Sequence, residues 1–193
     1  FTVSCNESQN QEGLKDALKD KFYIGTALNE AQIKGKDTMA LQIAIRHFNS
    51  IVAENCMKME NIHPTKDSFN FTLSDAFVRF GEQHKMKIIG HCLVWHSQVP
   101  AWIFVDDKGN EVTRDELISR MKNHITTIVS RYKGRVHGWD VVNEAIDDNG
   151  MYRQTKWYKI IGPEYIELAF KFAHEADPGA ELYYNDYNEW QPV

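Results

Sequence analysis

No stretch of the 193 residues approaches the ~18 consecutive apolar positions that a membrane-spanning helix requires, so the sequence offers no transmembrane segment. Cysteine is scarce. Cys5, Cys56 and Cys92 are too few and too scattered for a disulfide framework or a zinc knuckle. Cys56 and Cys92 lie in or beside apolar runs and read as buried free thiols, since a bridge needs a geometry that sequence does not supply. A basic excess is missing as well: 22 Lys and Arg face 27 Asp and Glu, a net charge of −5. A protein that neutralises nucleic-acid phosphates carries the opposite balance, so no nucleic-acid partner is expected. No low-complexity linker divides the chain. The first apolar run closes through Thr26-Ala27-Leu28-Asn29-Glu30 rather than on G-x-G-x-x-G, and no P-loop occurs, which argues against a nucleotide-binding doubly wound sheet. H-E-x-x-H and G-x-S-x-G are absent too, which removes the usual signatures of a helical zinc site and of a serine nucleophile elbow.

What is present suffices for a sizeable core. Hydrophobic residues make up 42% of the chain and charged residues 25%, and there are five Trp, eight Tyr and ten Phe. The length fits one domain of roughly 100–200 residues. The first residues, Phe1-Thr2-Val3-Ser4-Cys5, give way at once to a polar stretch, Asn6 to Glu12. With no initiating Met and no full signal peptide, the mature form is expected to begin downstream of an export segment, in a secreted or cell-surface protein. Small residues before Cys5 and the polar stretch after it resemble a lipoprotein cleavage site, although the apolar segment that should precede one is missing.

From residue 22 onward short apolar runs alternate with amphipathic ones. The expected strands are Phe22–Asn29, Phe48–Asn55, Lys87–Trp95, Val136–Glu144 and Glu181–Asn188. They are near-continuous hydrophobic runs, as in parallel strands covered on both faces. Helices are expected between them. One runs from about Asp37 to Arg46 and another from about Leu73 to His84. A third opens on the capping box Thr113-Arg114-Asp115-Glu116, carries Leu117, Met121, Ile125, Ile128 and Tyr132 at helical spacing, and stops near Gly134. The last starts near Pro163 and Glu164 and ends before Asp177-Pro178-Gly179. The order βαβαβαβαβ points to an α/β protein with a parallel sheet.

Polar, ionisable and aromatic residues gather where the apolar runs end. They are Asn29-Glu30, then Glu54-Asn55 with Lys58, then His91 and Trp95-His96-Ser97-Gln98, then Asn143-Glu144, and finally Asn185-Asp186-Tyr187-Asn188. Strand ends are always more polar than strand middles, so one such cluster would carry little weight. Five of them point to the C-terminal rim of a (β/α)8 barrel, where βα loops converge on the active site. His91 and His96 match no metal motif. A Schiff-base lysine is conceivable at Lys58, yet beside Glu54 an ion-paired contact residue is simpler. The density of carboxylates, amides and indoles suits carbohydrate: aromatic faces stack on the apolar faces of sugars, and amides and carboxylates bond hydroxyls. Cleaving a glycosidic bond takes two carboxyl groups. Glu144 closes the run Trp139-Asp140-Val141-Val142, where desolvation favours the neutral form that a general acid needs, and Asn143 can donate to a sugar 2-hydroxyl. A plain salt bridge from Glu144 to a nearby Arg or Lys is the competing reading.

WDVVNEA (139–145) resembles the acid/base signature of glycoside hydrolase family 10, the retaining endo-1,4-β-xylanases. GHCLVWHSQVPAW (90–102), AENCMKME (53–60) and LYYNDYN (182–188) resemble the same family's third, second and fifth strand segments, in the right order. The resemblance implies a (β/α)8 barrel and no metal or organic cofactor, with xylan and xylo-oligosaccharides as partners. It implies Glu144 as acid/base and Asn143 as the residue touching the 2-hydroxyl. Glu54, Asn55 and Lys58 would line the glycone subsites, His91, Trp95 and Gln98 would hold the sugar at the cleavage point, and Tyr187 would lie toward the aglycone. Met59 stands where the family often has tryptophan. The family's nucleophile, a glutamate at the end of strand seven, is expected outside this chain, because similarity gives neither Asp186 nor Glu189 that role.

Strand starts at 22 and 181 imply about 40 residues per βα unit. Eight such units would take roughly 320 residues. Residues 1–21 therefore read as a tail and lead-in, and 22–193 as about the first five βα units of a barrel, with its C-terminal remainder as partner. Five open strands would leave two unpaired edges, which free proteins avoid. A binding fragment without catalysis is the alternative function, and an unrelated barrel enzyme such as a lysine-dependent aldolase a third.

Overall fold

The computed structural model describes residues 12–187. In chain order these form α1 (Leu14–Ala17), β1 (Gly25–Leu28), α2 (Glu30–Ile33), α3 (Thr38–His47), β2 (Ser50–Ala53), α4 (Met59–Ile62) and α5 (Thr72–Gln83). Then come β3 (Lys87–Val94), a 3₁₀ turn (Ala101–Ile103), α6 (Arg114–Arg131), β4 (Gly138–Asn143), α7 (Lys156–Ile161), α8 (Tyr165–Ala176) and β5 (Glu181–Asn185).

All four strand pairs are parallel, in the spatial order β1-β2-β3-β4-β5. A doubly wound sheet reverses its strand order part-way and places helices on both faces. Here the order never reverses. Because such crossovers are right-handed in nearly every case, helices that follow one another in this way all fall on one face. That is the winding of a barrel wall.

The helix-covered face is apolar and tightly packed. Ile51, Ile88 and Trp139 are 1% exposed or less, as are Phe77 of α5 and Met121, Ile125 and Ile128 of α6. Contact is close enough to need glycine at two positions. A Cβ on Gly90 would lie 2.1 Å from the Trp139 ring, and one on Gly81 would lie 2.5 Å from Ile88. Between α5 and α6 the Tyr132 hydroxyl lies 2.8 Å from Ser74 Oγ and 2.9 Å from Asp75 Oδ1. Arg131 grips Asp75 through two bonds of 2.9 and 2.6 Å, and that guanidinium holds the Asp75 carboxyl below the usual carboxylate range. The opposite face is polar: Lys87 pairs with Glu181 at 2.5 Å, and His91 Nδ1 with Asp140 at 2.8 Å.

Several elements differ from the sequence expectation. The strands are shorter at their ends, because the residues beyond leave the ladder for other partners. Asn29 is the clearest case: it caps α2, exchanging bonds with Gln32 at 2.9 and 3.1 Å. At the other end of β1, the chain enters through Ile24, whose N–H donates to the Asn49 side chain at 2.7 Å. The capping box at α6 is half-formed. Thr113 accepts from the Glu116 N–H at 3.3 Å, but the Glu116 carboxylate binds Arg120 at 2.8 Å instead of turning back. Part of the lead-in is helical: α1 docks on α3, with Leu14 N–H donating to His47 at 3.2 Å and Lys15 to the Ile45 carbonyl at 2.6 Å. Cys56 and Cys92 are free and buried, and burial pushes the Cys56 thiol up to about 12. Cys5 and Glu189 lie outside the described residues. Among the described residues no helix is long and apolar enough to cross a membrane.

Candidate active site

Glu144 follows β4 directly, with its backbone in the left-handed region at φ +55°. For a residue with a side chain that conformation costs roughly 1–3 kcal/mol and persists only where neighbours hold it. They do. The Glu144 N–H donates to the Asn185 carbonyl at 2.8 Å, and Arg153 Nε donates to the Glu144 carbonyl at 3.1 Å. The carboxylate is thereby aimed across the rim at β3, where Trp95 Nε1 donates to its Oε2 at 2.9 Å. Trp95 is fixed in turn, since its carbonyl accepts from the Trp157 indole at 2.8 Å.

Asn143 is almost wholly buried beneath this pair. Its amide meets that of Asn185 at 2.7 Å. With its oxygen toward the indole, the amide accepts from Trp95 Nε1 at 3.1 Å and donates to the Asn185 carbonyl at 3.2 Å. The β3–β4 register sets His91 opposite Asp140. The Asp140 carboxylate therefore takes His91 Nδ1, fixing the ring and its other nitrogen.

A second cluster joins β2 to the end of β3. Lys58 Nζ donates to Gln98 Oε1 at 2.8 Å and to Asn55 Oδ1 at 3.0 Å, and lies 4.8 Å above the Trp95 ring. Asn55 also donates to Glu54 at 3.3 Å and accepts from Gln98 at 3.3 Å. Gln98, like Glu144, sits at positive φ, +46°. Glu54 and Asn55 are exposed and Lys58 is half-buried, so the cluster presents its polar groups to solvent. On the far side of Glu144, the Tyr187 hydroxyl accepts from Arg153 at 3.2 Å and donates to Asp148 at 2.8 Å.

The nine residues singled out from the sequence thus stand on one rim. Glu54, Asn55, Lys58 and Gln98 form one hydrogen-bonded group, Trp95 links it to Glu144 and Asn143, His91 lies on the neighbouring strand face, and Tyr187 flanks the other side. Sequence reasoning missed Arg153, which holds Glu144, Ile146 and Tyr187 at once. It sits in a loop with no motif, and only its three-dimensional partners reveal it. Asp140 was legible only as part of an apolar run. Of the nearby carboxylates, Asp186 is bound to the Tyr184 hydroxyl and the Tyr187 N–H. Among the described residues no group of three or more His, Cys, Asp or Glu is placed to hold a metal ion.

A singly wound parallel wall whose C-terminal rim gathers a braced carboxyl, indoles and amides is that of a (β/α)8-barrel protein. Residues 13–192 match the profile of glycosyl hydrolase family 10, and the chain belongs to that family. It is 59% identical over 181 residues to endo-1,4-beta-xylanase A of Xylanibacter ruminicola, covering 94% of this chain and 49% of that protein. The fold is similar to crystalline xylanase XynB from Paenibacillus barcinonensis, with TM-score 0.90 and 42% identity over 96% of this chain and 56% of that one. It is also similar to the intracellular xylanase of Thermoanaerobacterium saccharolyticum, with TM-score 0.87 and 45% identity over 92% and 57%. The chain therefore spans about half the length of these relatives, and among its described residues four βα units and a fifth strand form part of the barrel wall.

Proposed function

We propose that this chain is the N-terminal part of a retaining endo-1,4-β-xylanase, with Glu144 as its acid/base. The observation that carries the reading is the 2.9 Å bond from Trp95 Nε1 to Glu144 Oε2, at a rim otherwise lined by sugar-type donors and acceptors. Glu144 protonates the departing glycosidic oxygen, then takes a proton from the water that releases the glycosyl-enzyme. Asn143 steadies the 2-hydroxyl. Glu54, Asn55 and Lys58 bind the glycone sugars, His91, Trp95 and Gln98 hold the sugar that is attacked, and Tyr187 faces the aglycone. The nucleophile is a glutamate contributed from outside these residues, by the segment that completes the barrel.

Xylan is too large to enter cells, so a secreted or cell-surface location suits this substrate; cell fractionation that finds the protein in the cytoplasm alone overturns that part. The catalytic assignment is tested by Glu144→Ala in the protein with its barrel complete. The kcat/KM for xylan falls about 10²–10⁴-fold, while that for a dinitrophenyl xylobioside, whose leaving group needs no proton, stays near wild type. Equal losses on both substrates reject the acid role. Binding of xylo-oligosaccharides with no hydrolysis by the completed barrel leaves the non-catalytic reading instead.

A further inference from the structure

The turn that carries Glu144 is built from three consecutive peptide units, held on both sides. Arg153 takes all three carbonyls: Nε donates to Glu144 at 3.1 Å, the backbone N–H to Ala145 at 2.7 Å, and Nη2 to Ile146 at 3.0 Å. The N–H groups all turn to β5. That of Glu144 donates to the Asn185 carbonyl at 2.8 Å. Those of Ala145 and Ile146 both donate to the Tyr184 hydroxyl, at 3.1 and 3.2 Å. The β4–β5 ladder ends at Asn143 and Asn185, so beyond Glu144 a side chain takes over from the strand. A tyrosine hydroxyl has two lone pairs and one proton, and here all three are used. The proton goes to Asp186 Oδ2, and the other oxygen of that carboxylate accepts from the Tyr187 N–H at 2.8 Å. Donating to a carboxylate polarises the hydroxyl and makes its oxygen a better acceptor for the two amides. Burial, with Asp186 adjacent, pushes the hydroxyl above the ordinary tyrosine range, so it keeps its proton at neutral pH.

We infer that Tyr184 is a positioning residue: its hydroxyl locks the peptide planes that follow Glu144 and so keeps the acid/base carboxyl aimed at the glycosidic oxygen. The Ala145 N–H and the Glu144 carbonyl belong to one planar peptide unit. Tyr184 holds one end of that plane and Arg153 the other, which fixes ψ of Glu144. The bond from the Glu144 N–H to Asn185 fixes φ, at +55°. A glutamate leaves the left-handed region when its turn is free to relax, and relaxation here swings the carboxyl. Misplacing a reacting group by about 1 Å costs up to about a hundredfold in rate. This inference rests on the reading of Glu144 as acid/base.

The test removes a single oxygen. Tyr184 is 37% exposed and lies outside the packed core, so Tyr184→Phe keeps the fold. In the completed barrel this variant lowers kcat/KM for xylan about tenfold, the effect of one or two lost hydrogen bonds. It leaves kcat/KM for dinitrophenyl xylobioside, whose leaving group needs no proton, within about twofold. Amide hydrogen exchange at Ala145 and Ile146 quickens about tenfold or more, while amides inside β4 keep their rates. Equal loss on both substrates is the mark of a merely structural brace and overturns the role, as does the absence of any loss on xylan. A variant that does not fold overturns it too, since the hydroxyl would then serve the fold. The wild type gives a check independent of the variant: unprotected Ala145 and Ile146 amides there refute the clasp by themselves. Glu144→Ala run alongside separates the failures. Selective loss there with unselective loss in Tyr184→Phe sinks only the positioning role, whereas unselective loss there sinks the acid/base reading itself.

Discussion

The two faces of the sheet are built on opposite principles. On the helix-covered face, side chains fit at van der Waals distance, with glycine needed at Gly90 and Gly81 to let Trp139 and Ile88 approach. At the rim and on the opposite face, side chains are joined by hydrogen bonds, stay partly in water and include two strained backbones, at Gln98 and Glu144. The first face derives its energy from dispersion and apolar burial, which tolerate almost no change of volume. The rim presents donors and acceptors whose partners are meant to be exchanged. Stability and activity should therefore separate by face.

The largest expected effect tests the packed face. Gly90→Val drives side-chain atoms into the Trp139 ring and costs about 3 kcal/mol or more, read as a loss of unfolding temperature or of soluble protein. Wild-type stability for that variant would break the comparison.

A smaller effect comes from the buried pair His63 and His124, which meet at 3.1 Å between Nδ1 atoms beneath the Trp102 ring. Burial, with His63 adjacent, holds His124 down to about 3, and burial also lowers His63. Unfolded histidines bind protons near pH 6.5, so between there and about 3 the unfolded state holds more protons than the folded one. Stability is therefore full above about pH 6.5 and falls on acidification, by up to about 1.4 kcal/mol per pH unit for each such group. His124→Gln flattens that slope in urea unfolding between pH 4 and 7; an unchanged slope refutes the assignment.

The smallest effect sharpens the comparison from the other side. Lys58→Met keeps the stem over Trp95 but removes the ammonium that bonds Gln98 and Asn55. Unfolding free energy moves by no more than about 0.5 kcal/mol, while kcat/KM for xylan falls about tenfold. A large stability loss without loss of activity would show that the cluster is a structural brace.

Much of the fold was legible because the strands are rich in apolar residues, as at Ile88–Val94 and Trp139–Val142, even though only their helix-covered face is closely packed. The long helices were legible by period, α3, α5, α6 and α8 all falling within a few residues of expectation. The four-residue helices α2 and α4 and the six-residue α7 were not, because one or two turns are too short to show a helical period. The strand ends were drawn too long for a related reason: Asn29 and Glu144 follow apolar runs in sequence but leave the ladder for a cap and a left-handed turn.

The sequence by itself determined the alternation of strands and helices, the polar rims and the motifs at 53–60, 90–102, 139–145 and 182–188, since these depend on local period and residue type. Only the tertiary structure decided that the Trp95 indole takes Oε2 of Glu144, that Asp140 takes His91, and that Arg153 braces the turn beneath the carboxyl. Those partners lie from 9 to 49 residues apart along the chain. Their meeting depends on parallel register and on loop paths across the rim, which no local pattern encodes.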